Sequence, residues 1–105
     1  MQSVLEYLAS NEARFVEELC TYLRFPSISA QSDHRSDMRA CADWLGAHCR
    51  EMGLKARRHA TSGRHPLVTA STPRRKGRAH FLVYGHYDVQ PPDPLDQWHS
   101  PPFVP

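Results

Sequence analysis

The segment His80-Phe-Leu-Val-Tyr84 limits the fold more than any other stretch of this sequence. It is a near-continuous apolar run, and such runs mark strands covered on both faces. A strand of that kind needs a paired neighbour on each side and a layer above and below. The sequence therefore predicts a layered α/β chain rather than a helical bundle. Two more strands are expected upstream. Leu54 to Ala60 is short and basic, which suits an exposed edge. Pro66 to Ser71 follows a Ser62-Gly63 turn signal, so the two segments read as a hairpin.

The helices precede the strands. Val4, Leu5, Leu8, Phe15, Val16, Leu19 and Leu23 share one stripe at helical spacing, which predicts a first helix from Val4 to Arg24. Ser3 and Glu6 have the spacing of a capping box at its start. Pro26 ends it by pushing Phe25 out of the α region. Ser10-Asn11 is the weak point, because both side chains compete for backbone hydrogen bonds. After a polar loop, Pro26 to Ser36, a second helix is expected from Asp37 to Met52. Its stripe is Met38, Cys41, Ala42, Leu45, Cys49 and Met52, and Gly53 stands where a left-handed residue closes it. His48, on the flank, reads as a surface or edge residue. Two helices and about three strands are too few layers to cover the 80–84 strand on both faces. The chain is expected to be an incomplete part of a larger domain.

Composition narrows the function classes. A net charge of +2 over 105 residues is too mild to imply a polyanionic partner. The 40% hydrophobic share is that of a globular chain. The basic turn Pro73 to Arg78 has no aromatic residues interleaved for base stacking and reads as a solvated tip, so no nucleic-acid partner is expected. No apolar run approaches the ~20 residues that span a bilayer, and the N-terminus lacks a basic n-region, so neither a membrane segment nor a signal peptide is expected. The expected location is cytoplasmic. Cys20, Cys41 and Cys49 form no C-x-x-C pair. On a helix Cys41 and Cys49 stand about 12 Å apart, beyond disulfide reach, and all three read as small hydrophobes in or near the core.

From Gln90 onward Pro91, Pro92, Pro94, Pro101, Pro102 and Pro105 exclude regular helix or central strand. Trp98 and Phe103 are expected to anchor a structured loop there.

The chemistry concentrates at Gly85-His86-Tyr87-Asp88, directly after the apolar run. In α/β sheets, ligand sites gather at the carboxyl ends of strands. His86 and Asp88 are two apart, so extended backbone puts both side chains on one face. A metal-ligating histidine usually gives its other ring N–H to a carboxylate or carbonyl, and Asp88 is near enough to be that partner. Gly85 is expected to leave room for close approach. From H-x-D alone, a hydrogen-bonded pair capping a strand end is the competing reading.

The block Phe81-Leu-Val-Tyr-Gly-His-Tyr-Asp-Val-Gln-Pro91, with Pro92-Asp-Pro-Leu-Asp-Gln-Trp98 and Ser100-Pro-Pro-Phe103, closely resembles family M-twenty of the metallopeptidases. Leu23-Arg-Phe-Pro-Ser-Ile-Ser29 resembles the segment that ends the first helix in those enzymes. The family includes carnosine-type dipeptidases, glutamate carboxypeptidase, aminoacylase, acetylornithine deacetylase and succinyl-diaminopimelate desuccinylase. The Gly-His-Tyr-Asp-Val-Gln-Pro wording looks most like the dipeptidase branch. The resemblance implies that residues 1–105 are the N-terminal part of a three-layer α/β/α zinc-exopeptidase domain with a mixed sheet. A smaller lid domain, used for homodimerisation, would lie elsewhere.

By that pattern His86 ligates one of two zinc ions, with manganese or cobalt as replacements, and Asp88 orients the ligand set. The bridging aspartate, the glutamate base and the second histidine stand downstream in the family, so this chain alone is expected to be inactive. Catalytic zinc takes three protein ligands, and His59, His65, His80 and His99 are not expected to complete a private site. The implied reaction is hydrolysis of a dipeptide's amide bond by a metal-activated water. The alternatives are an N-acyl amino acid amidohydrolase, of deacetylase or desuccinylase type, and a non-catalytic protein acting through partner binding.

Overall fold

The computed structural model describes residues 2–105 and divides them into two compact units, residues 26–91 and residues 2–25 together with 92–105. The chain is α/β, and the described residues form three α-helices and a two-stranded antiparallel sheet.

In the unit made by the chain termini, the stripe predicted as one helix folds as two, α1 (Gln2–Ser10) and α2 (Glu12–Leu23). The break falls at Asn11, whose Nδ2 donates to the Tyr7 carbonyl at 2.8 Å. The side chain thus competes with the helical ladder at the weak point. Ser3 lies inside α1 and does not cap it. Arg14 fastens the junction by donating to Asn11 Oδ1 (3.3 Å), Tyr7 Oη (2.8 Å) and Glu18 Oε1 (2.6 Å). Tyr7 and Phe15 meet edge to face across it. In the proline-rich segment, Leu95–Gln97 makes a 3-10 turn and Trp98 Nε1 donates to the Pro92 carbonyl at 2.9 Å. Trp98 anchors this loop by that bond while half its surface stays exposed.

The other unit is built on α3 (Arg35–Glu51), which begins two residues before the predicted start and follows a 3-10 turn at Ser32–His34. Its end is closed as expected. Gly53 takes φ +84°, its N–H bonds the Arg50 carbonyl, and the Leu54 N–H reaches back to Cys49. This paired arrangement gives partners to two of the carbonyls in the last turn of the helix. The chain then forms β1 (Lys55–His59) and β2 (Leu67–Ser71), with Lys55 opposite Ser71 and His59 opposite Leu67. An isolated hairpin is marginal in water, and here α3 packs on both strands. Met38, Cys41, Ala42 and Gly46 are the buried face of the helix. Ile28, from the segment expected to be a polar loop, joins them in the core. The Ile28 N–H bonds the Pro26 carbonyl at 2.8 Å, so a tight turn at Ser27 leads into this core position. His48 stacks on Trp44 with ring centroids 4.9 Å apart, in keeping with its place on the helix flank.

Residues 80–84 form no strand. Phe81, Leu82, Val83 and Tyr84 are 86–96% exposed. Among the described residues β1 and β2 pair with each other and each keeps one open edge, but at 86–96% exposure the run packs against neither strand nor any helix. No described helix is long and apolar enough to cross a membrane.

Candidate functional site

Three stretches distant in sequence meet beside α3: residues 26–29, residues 65–66 and residues 86–89. The Ile28 N–H closes on the Pro26 carbonyl at 2.8 Å, and Ile28 forms an isolated parallel bridge with Val89. The Val89 N–H donates to the Ser27 carbonyl at 2.9 Å, and Ser27 Oγ donates to the Tyr87 carbonyl at 2.7 Å. Tyr87 Oη donates to the Pro66 carbonyl at 2.6 Å. His65 Nε2 lies 2.9 Å from the Ser29 carbonyl, and because a carbonyl only accepts, that nitrogen carries the proton.

Within this frame the structure brings His86 and Asp88 together. Nδ1 of His86 lies 3.0 Å from the Asp88 carbonyl and 3.1 Å from Asp88 Oδ1. Both are acceptors, so in the neutral ring Nδ1 holds the proton and Nε2 keeps its lone pair. The His86 side chain is 74% exposed, which leaves that lone pair open to a ligand. The second carboxylate oxygen of Asp88 accepts from Ser29 Oγ at 2.5 Å. The Ser29 hydroxyl, and after it the hydrogen bond to His86, holds the Asp88 carboxyl below its ordinary value. Asp88 is therefore an anion at neutral pH and can act only as an acceptor.

A metal centre can be tested against these atoms. Imidazole nitrogen backed by a carboxylate is the arrangement a ligating histidine takes, so His86 fits one position of such a centre. Among the described residues no three His, Cys, Asp or Glu side chains converge. Gly85 differs from expectation, since a Cβ placed there would meet no atom within 4 Å. Its smallness is not demanded by any contact within this chain.

Sequence reasoning missed Ser27, Ser29 and His65 as parts of this site. No local signal marked the serines: Ser27 is buried beside Ile28 and bonds Cys41, and Ser29 sits in the turn that follows. Nothing local marked His65, which is placed by the turn between β1 and β2.

No protein-family model matches the chain. Its similarities to curated proteins fall on two kinds of enzyme. It is 37% identical over 65 residues to succinyl-diaminopimelate desuccinylase 1 of Alteromonas mediterranea, covering 62% of this chain and 16% of that protein. It is 38% identical over 77 residues to succinyl-diaminopimelate desuccinylase of Aromatoleum aromaticum, covering 72% of this chain and 19% of that protein. To Cys-Gly metallodipeptidase dug1 of Schizosaccharomyces pombe it is 25% identical along 99% of its length, which is 24% of that protein. The chain thus spans at most about a quarter of these relatives. Both names fall within the range of enzymes included in the family that the 81–103 block resembles, and they do not favour its dipeptidase branch over the desuccinylases.

Proposed function

We propose that this chain is part of a metal-dependent amide hydrolase and supplies it with one histidine ligand, His86, oriented by Asp88. One observation carries the reading. The His86 ring is held at Nδ1 by both the carbonyl and the carboxylate of Asp88, so its exposed nitrogen is the unprotonated one. Metal content separates this reading from a hydrogen-bonded His–Asp pair that holds no ligand.

A bound divalent metal, zinc first and manganese or cobalt as replacements, supplies polarisation of an amide carbonyl and an acidified water. The residues of this chain prepare that site. Asp88 fixes the imidazole plane and tautomer. Tyr87, tied to Pro66, keeps the backbone between them from turning.

The substrate is a dipeptide or a small N-acyl amino acid. The Gly-His-Tyr-Asp-Val-Gln-Pro wording and the similarity to a Cys-Gly metallodipeptidase along 99% of this chain support the dipeptide. The desuccinylases, with higher identity over shorter stretches, support an N-succinyl amino acid as the second reading. Zinc content and hydrolysis of Cys-Gly and of N-succinyl-diaminopimelate are to be measured on the product of the complete coding sequence. The same measurements on its His86→Ala variant should show more loss than the ~10–100-fold typical when only an outer partner is removed. Unchanged zinc content and turnover in that variant would remove His86 from the metal centre.

A further inference from the structure

We propose that Ser29 is a positioning residue for His86, acting through Asp88, and that it selects which ring nitrogen faces outward. The inference goes one step beyond the metal-centre reading, on which only its consequence for a ligand depends. The tautomer lock itself is a property of this chain.

A carboxylate on a short side chain turns easily about its last torsion, which is broad and roughly two-fold. Left alone, Asp88 would offer His86 a shifting acceptor. Ser29 Oγ occupies Oδ2 at 2.5 Å and leaves Oδ1 alone to face the ring at 3.1 Å. Ser29 is itself fixed from two directions. Its carbonyl accepts from His65 Nε2 at 2.9 Å, and the Ile28–Val89 bridge holds the adjoining backbone in register. The donor is thus placed before any ligand arrives, as a preorganised site requires. The His86 Nδ1–H is shared between the fixed Asp88 carbonyl at 3.0 Å and Asp88 Oδ1 at 3.1 Å, and Ser29 acts on the carboxylate member of that pair.

The arrangement contains its own control. His65 donates through Nε2 to a backbone carbonyl that no side-chain substitution at position 29 removes. The two histidines therefore hold opposite tautomers, Nε2–H at His65 and Nδ1–H at His86.

The test is long-range nitrogen–proton NMR of the 105-residue chain above about pH 8, where imidazoles are neutral. The native chain should show Nδ1–H at His86 and Nε2–H at His65. Ser29→Ala should lower the Nδ1–H to Nε2–H ratio at His86 by about 2–10-fold, the scale of one net hydrogen bond. His65 should not change. Ser29→Thr, which keeps the hydroxyl, should restore the native ratio. An Nε2–H tautomer at His86 in the native chain overturns the proposal before any variant is made. An unchanged ratio in Ser29→Ala overturns it, and so does loss of the Ile28–Val89 contacts in that variant, which would make the serine a structural tie only. Because the readout needs no metal, it stands or falls separately from zinc binding by His86.

Discussion

Residues 80–84 and residues 86–89 are neighbours in the chain and opposites in their chemistry. The first stretch is the most apolar in the molecule, yet Phe81, Leu82, Val83 and Tyr84 lie in solvent. The second is polar or aromatic at three of its four positions, and its backbone and side chains are tied at nearly every residue to 26–29 and 65–66. Hydrophobicity alone did not order the first stretch, because burial requires a surface to be buried against. Matched donors and acceptors ordered the second, because each satisfied group there removes a freedom from the backbone.

The widest separation between tied and untied regions should appear in stability. Met38 is 2% exposed on the inner face of α3. Met38→Ala should lower the unfolding free energy in urea by about 2–5 kcal/mol, from lost transfer and the cavity left behind. Val83→Ala should stay within about 0.5 kcal/mol of the native chain, as exposed substitutions do. A loss at Val83 comparable to that at Met38 would mean that the apolar run is packed in solution and that the contrast is false.

How legible these regions were follows from where their partners lie in sequence. The turn at Gly53, the Met38–Cys41–Ala42 part of the α3 stripe and the β1–β2 hairpin depend on residues within a few positions of one another and read correctly. Met52, placed on that stripe, is instead 59% exposed, and the buried Gly46 was not expected there. The first helix read as one where there are two, although the interruption sits at the dipeptide whose side chains compete for the backbone. His86 and Asp88 could be paired because extended backbone puts positions two apart on one face. Ser29 could not be paired with Asp88, since 59 residues separate them and only the folded register brings them together. The 80–84 run was read as a covered strand from its own composition. Its covering depends on partners that the described residues do not supply.

Cys41 reports on the same tied region from the helix side. Its side chain is fully buried on α3, and burial pushes the thiol up to about 11, with a hydrogen bond to Ser27 pulling the other way. At pH 8 a thiol-alkylating reagent should modify Cys41 about 100-fold more slowly than an ordinary exposed thiol, as its thiolate fraction falls by two decades. The sign for stability follows from the same shift. The folded state keeps the proton that the unfolded chain gives up near 9.0, so this contribution is whole below that pH. It is lost as pH rises through about 11. Urea midpoints should therefore decline between those limits, and the decline should shrink in Cys41→Ala. A native midpoint that rises over this range, or rapid alkylation of Cys41 at pH 8, would show that the helix face opens to solvent.

The smallest effect gives the cleanest comparison, because one chemical change can be made in both regions. Tyr84 and Tyr87 are three residues apart. Tyr84 is 88% exposed and makes no hydrogen bond among the described residues, whereas Tyr87 Oη donates to the Pro66 carbonyl at 2.6 Å. Replacing either by Phe removes one oxygen and leaves the ring. At Tyr87 the removal also strips a part-buried carbonyl of its donor, a loss of about 0.5–1.5 kcal/mol. At Tyr84 water replaces nothing that the protein held, and no measurable shift is expected. Urea unfolding of the two variants gives the difference directly, with the rings and the neighbouring sequence serving as each other's control. Equal shifts would mean that the 86–89 stretch is no better held than the run before it. A loss confined to Tyr87 would assign the order around His86 to hydrogen bonds with residues 26–29 and 65–66, and not to the apolar segment that leads into it.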